Sequence, residues 1–166
     1  MKTKLTTLTL VILIAALFYS CKKTNCCTLN EENNTIVALK NNAEWRTEGH
    51  LYRYNSRKDT VSLAGNKNEE HLSIYIKRTG NGYTMIDARL EIILGDIILA
   101  DYVLDTSKNN VFATTTNTDT LLEGNFTLYF NLNHDDSSHP RPKTAVFKNG
   151  LFRIRWDHGS TPVLWN

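Results

Sequence analysis

From Thr35 onward, apolar residues of this 166-residue chain tend to recur at every second position, with turn-forming residues interrupting them every eight to fifteen residues or so. Alternation of this kind lays one face of an extended segment in a core and the other in solvent. In residues 71–77, Leu72, Ile74 and Ile76 share one face against Ser73, Tyr75 and Lys77. In residues 122–132, Phe126, Leu128, Phe130 and Leu132 oppose Asn125, Thr127, Tyr129 and Asn131, which predicts a long central or barrel strand. Two further rows flank Gly95-Asp96: Leu90, Ile92 and Leu94 before it, and Ile98, Ala100, Tyr102 and Leu104 after it. A helical period also partly fits residues 85–94, but two adjacent isoleucines and the nearby glycine favour a strand. Shorter strands are predicted over 35–39, around Trp45, over 50–54 and at Val61 and Leu63. Asn41-Asn42 and Gly80-Asn81-Gly82 are turns that tolerate positive φ. Asn149-Gly150, between residues 144–147 and 151–156, reads as a hairpin turn. Trp45 and Trp156 read as core anchors. The expected fold is therefore all-β, an antiparallel β-sandwich, with a lipocalin-like β-barrel as the alternative.

Ahead of Thr35 the pattern is different. Lys2 and Lys4 precede an apolar run over residues 8–18, which ends in Ser20-Cys21. This is the layout of an export signal, and it is too short for a comfortable membrane-spanning helix. Phe18-Tyr19-Ser20-Cys21 resembles a bacterial lipobox, in a version with Phe18 where Leu is common, as in Bacteroidota. That resemblance implies that the Cys21 thiol takes a diacylglyceryl group and becomes the mature N-terminus. The chain then divides into a lipoprotein signal peptide (1–20), a flexible tether (21–34) and a single β-domain (35–166). Two or more acyl chains would hold the protein on a membrane stably, at about 0.8 kcal/mol per buried methylene. In some Bacteroidota lipoproteins an acidic cluster just after the cysteine directs surface export; here Lys22-Lys23-Thr24-Asn25 follows instead, so the resemblance implies the periplasmic face of the outer membrane.

Composition narrows the partners. The formal charge of +2 includes Lys2 and Lys4, so the chain after the leader is close to neutral. No run of Lys and Arg exceeds two residues, which is no nucleic-acid footprint. The expected partners are the membrane, through the N-terminal lipid, and an unidentified protein or glycan. All three thiols, Cys21, Cys26 and Cys27, precede the domain. The fold therefore does not depend on disulfides, and bridging the neighbours Cys26 and Cys27 would be strained.

Candidate chemistry concentrates in His134-Asp135-Asp136-Ser137-Ser138-His139. His134, Asp135, Asp136 and His139 offer two imidazoles and two carboxylates to a metal ion, although their spacing fits neither a zinc nor a calcium template. Ser137 or Ser138 with a neighbouring histidine lacks the geometry of a triad, and no Gly-x-Ser-x-Gly elbow is present. Glu69, Glu70, Glu91 and Glu123 could serve glycoside hydrolysis only if two of them faced each other across a cleft. Tyr75 and Tyr129 lie opposite the core rows and could form a stacking platform for a sugar or peptide. No cofactor is implied.

Several features taken together resemble a family of small Bacteroidota lipoproteins of unknown function. They are the lipobox, a turn before Trp45, Ala100-Asp101-Tyr102-Val103-Leu104, Gly124-Asn125-Phe126-Thr127-Leu128 and Asn149-Gly150-Leu151-Phe152. The family pattern has Asn-Gly where this chain has Asn41-Asn42, Gly at Ala100 and Thr at Asn125. The resemblance implies neither an activity nor catalytic residues. The leading expectation is a non-enzymatic, membrane-tethered binding or assembly module. The alternatives are a carrier of a small apolar ligand and a metal-assisted hydrolase.

Overall fold

A computed structural model describes residues 27–29, 34–54, 57–80, 82–118, 120–136 and 140–155. The leader, Cys21, Cys26, Ser137, Ser138, His139 and Trp156 lie outside the described residues. Nine strands follow one another: β1 (Thr35–Lys40), β2 (Ala43–Tyr54), β3 (Arg57–Lys67), β4 (Glu70–Thr79), β5 (Gly82–Leu94), β6 (Ile97–Leu104), β7 (Val111–Asn117), β8 (Leu121–Asp135) and β9 (Thr144–Arg155).

Each strand from β1 to β5 pairs antiparallel with the next, β8 pairs with β9, and β9 returns to β1. The ring closes on β8. Its second half, Phe130 to Asp135, pairs with β6, and its first half, Leu122 to Thr127, pairs with β7. β6 and β7 thus run end to end along one flank of β8 and act as a single interrupted strand. The result is a closed, eight-stranded antiparallel barrel. This replaces the expected sandwich by the barrel alternative. A period of two is common to both folds, and closure depends on the pairing of β1 with β9 and of β6 with β8.

The inward row contains Ile36, Trp45, Leu63, Leu72, Ile74, Leu90, Tyr102, Phe126, Phe130, Phe147 and Phe152, all buried. An eight-stranded barrel is about wide enough for side chains to fill, and large rings fill this one. Trp45 and Phe130 each meet the Phe147 ring edge-on, at centroid distances of 5.3 and 5.9 Å. Phe112 stacks on Phe152 at 5.3 Å. Space for these groups comes from inward glycines. A Cβ on Gly150 would lie 2.5 Å from the Phe126 ring, and one on Gly49 would lie 2.1 Å from Ile154 Cδ1.

Two local expectations change, and one strand is added. Asn149-Gly150 is not a hairpin turn: β9 runs unbroken past it, with a one-residue bulge against both β1 and β8 and Asn149 at φ 51°. The turn signal instead supplies the positive φ of a bulge, which bends the strand around the barrel. Leu94 and Ile98 do not join the core rows but stand exposed. Residues 111–117, which carry Phe112 as their single large inward group, form β7 although their periodicity is weak. Asn41 and Asn42 do turn the chain at positive φ (50° and 69°), as does Gly95 (60°).

Candidate functional site

One mouth of the barrel, at the β1–β2, β3–β4 and β5–β6 turns, is crossed by polar side chains. Lys40, Glu70 and Tyr102 continue the inward rows of β1, β4 and β6. One Glu70 carboxylate oxygen pairs with the Lys40 ammonium. The other accepts from the Trp45 indole N–H at 2.8 Å. The Tyr102 hydroxyl donates to the Pro142 carbonyl at 2.9 Å. Burial pushes the Tyr102 phenol above its ordinary range, reinforced by the Asp135 and Glu70 charges and opposed by Arg141. Asp135 accepts from the Arg141 backbone N–H at 3.1 Å, with the Arg141 Nε 4.0 Å from its other oxygen. Both Glu70 oxygens are occupied, so this carboxylate offers no free base, while the buried Arg141 Nε has no hydrogen-bond partner among the described residues.

The loop that carries the metal candidates is divided by strand geometry. A bulge separates Tyr102, opposite Leu132, from Asp101, opposite His134. The extra residue, Asn133, reverses the alternation. Its amide donates to Asp101 on the outer face at 3.1 Å. His134 and Asp136 consequently meet on the outside, 3.1 Å apart and largely exposed. Asp135 turns inward to Arg141. His139 lies outside the described residues. Among the described residues no group of three or more His, Cys, Asp or Glu could hold a metal ion.

Tyr75 and Tyr129 are not brought together, since β5 and the β6/β7 strand lie between their strands. Tyr75 has other company. Across β2, β3, β4 and β5 the register sets Tyr52, Ser62, Tyr75 and Asp87 directly opposite one another. Ser62 faces outward but is only 3% exposed, beneath the two flanking tyrosines. The His50 ring lies 6.1 Å from that of Tyr52, and Arg89 sits near Asp87 at 3.8 Å. Sequence reasoning missed Tyr52 and His50 because the residues beside Tyr75 are set by register. Glu123, considered for a carboxylate pair, is bound by Arg153 on the outer face of β8 and β9, far from Glu70 at the mouth.

No helix among the described residues is long and apolar enough to cross a membrane. Comparison of the chain with protein-family models, with curated proteins and with solved structures gave no match.

Proposed function

We propose that this chain is a lipid-tethered protein of the bacterial cell envelope, anchored through Cys21 on the periplasmic side of the outer membrane. Its barrel works as a non-enzymatic binding or assembly module through its outer surface. The family of small Bacteroidota lipoproteins is the affinity that the sequence suggests. The observation that carries the reading is the filled interior. Aromatic rings occupy the space that the inward glycines leave, and Lys40 pairs with Glu70 at one mouth, which favours the outside of the barrel as the surface on offer. The row Tyr52, Ser62, Tyr75, with His50 beside it, suits a glycan or peptide.

Barrel closure also favours a second reading, a carrier of a small apolar ligand in the lipocalin manner. The two readings separate in one titration. With the filled interior, an apolar fluorescent probe such as anilinonaphthalene sulfonate shows no saturable uptake by the folded protein. Stoichiometric binding that is abolished by enlarging an inward residue would instead establish the carrier. For the tether, Cys21→Ser is expected to move the protein from the membrane fraction to the soluble one. A variant that stays with the membrane would refute lipidation as the anchor.

A further inference from the structure

The β5–β6 hairpin projects past its neighbours. β4 begins at Glu70, opposite Ile92, and β8 ends at Asp135, opposite Ala100. Only single backbone bonds reach further, from Ile93 N–H to the Glu69 carbonyl and from Asp136 N–H to the Leu99 carbonyl, both 2.8 Å. The last two rungs therefore stand clear by roughly 7 Å, at about 3.4 Å per residue. Those rungs are Ile93 opposite Ile98 and Leu94 opposite Ile97. Leu94, Ile97 and Ile98 are 56%, 63% and 45% exposed. Alternation sends the two pairs to opposite sides of the hairpin, so the tip is aliphatic on both faces. A partner protein seated against one face would leave the other in water. An interfacial lipid layer, entered to a depth of about 5–10 Å by apolar groups, covers both.

The chain's path points the same way. Asn34 lies at the level of Gly49, whose N–H donates to its carbonyl. Thr28 lies further up β2, where its carbonyl accepts from Arg46 at 3.0 Å. Toward its N-terminus the described chain thus climbs to the end of the barrel that carries the hairpin. Cys21 is six residues beyond Cys27, within about 20 Å of extended reach, and Lys22-Lys23 adjoins it. We infer that the β5–β6 hairpin is a second membrane contact, dipping into the lipid interface beside the acylated terminus and setting which way the barrel stands. The inference rests on the tether reading of Cys21. Asp96, at the turn, keeps the insertion shallow, because its carboxylate stays at headgroup depth.

The test uses the full, processed chain with Cys26→Ser and Cys27→Ser, carrying one added thiol: Leu94→Cys or Ile98→Cys on the two hairpin faces, or Thr120→Cys at the opposite end. Each protein is reconstituted in vesicles of phosphatidylethanolamine and phosphatidylglycerol, floated, and labelled with a membrane-impermeant maleimide. In vesicles both tip thiols are expected to react about tenfold or more slowly than in detergent, a factor equivalent to ~1.4 kcal/mol, while Thr120→Cys is unchanged. Asp96→Asn should deepen the protection. If the protein floats and the tip reacts at its detergent rate, the hairpin contact is overturned and the tether stands. If the tip is protected in native membranes but not in vesicles, a protein covers it and the lipid assignment fails. If the protein does not float and the tip is unprotected, both readings fall.

Discussion

Single residues perform two recurring jobs in this barrel, and they differ in how visible they are beforehand. Inward glycines admit rings. Gly124 is the least forgiving case, since a Cβ there would stand 2.1 Å from the Ala113 carbonyl oxygen of the paired strand and 2.5 Å from the Phe152 ring. A ladder carbonyl cannot swing aside as a side-chain tip can. Gly124→Ala should therefore lose about 2–3 kcal/mol, the upper range for overpacking, seen as a lowered midpoint in urea. Asparagines do the second job by replacing backbone acceptors. The Asn34 Oδ1 accepts from Arg155 N–H at 2.7 Å, that of Asn41 from Val146 N–H at 2.9 Å, and that of Asn110 from Tyr129 N–H at 2.9 Å. The turn at Asn41 was legible from residue type. The acceptor roles were not, because each partner lies on a strand remote in sequence, 105 and 121 residues away for Asn41 and Asn34.

At the scale of elements, β8 is the piece on which closure depends, since both β6 and β7 line up along it. The connection between these two, residues 105–110, interrupts the ladder opposite Tyr129. Its groups are nevertheless supplied: Asp105 N–H donates to the Tyr129 carbonyl at 2.8 Å, and the Asn110 side chain accepts from Tyr129 N–H while donating to the Asp105 carbonyl at 2.7 Å. Asn110→Ala removes these bonds together with a longer one to the Lys108 carbonyl at 3.3 Å, and leaves a strand N–H without its acceptor. The expected loss is about 1–3 kcal/mol, with faster amide exchange at Tyr129 than at positions of β8 away from the joint. The strength of β8 was evident in its four inward apolar residues. Its division between two partners was not, because β7 carries a weak pattern of its own and is held by register. The same limit applies at residues 134–136. Counting by twos puts His134 and Asp136 on the side of Leu132, and the bulge at Asn133 reverses that assignment.

For the whole molecule, closing a sheet on itself seals hydroxyls as well as apolar groups. Burial raises the phenols of Tyr83 and Tyr102, near opposite ends of the barrel, above the ordinary value of 10.0. Below pH 10 both are protonated in the folded and unfolded chains, and their contribution to stability is constant. Above it the unfolded chain releases these protons first, so stability falls until the folded phenols ionise as well. The limiting slope is about 1.4 kcal/mol per pH unit for each group. Denaturation midpoints should therefore decline in the alkaline range above pH 10, less steeply in Tyr102→Phe. An unaltered alkaline limb in that variant would mean that Tyr102 ionises equally in both states.

By itself the sequence determined that this domain is all-β, where most of its inward rows lie, that Asn41-Asn42 and Gly95 turn the chain, and that Trp45 belongs to the core. These are consequences of period-two burial and local φ preference, which act over a few residues. Tertiary structure decided that the sheet closes, that its interior is filled, that Asn149-Gly150 bends a strand instead of ending it, and that Leu94, Ile97 and Ile98 stand outside. Such outcomes turn on which distant strands pair and on how far each extends past its neighbour. An isoleucine on a rung that extends past the flanking strands has the same local pattern as one in the core, and only the neighbouring strands determine which it is.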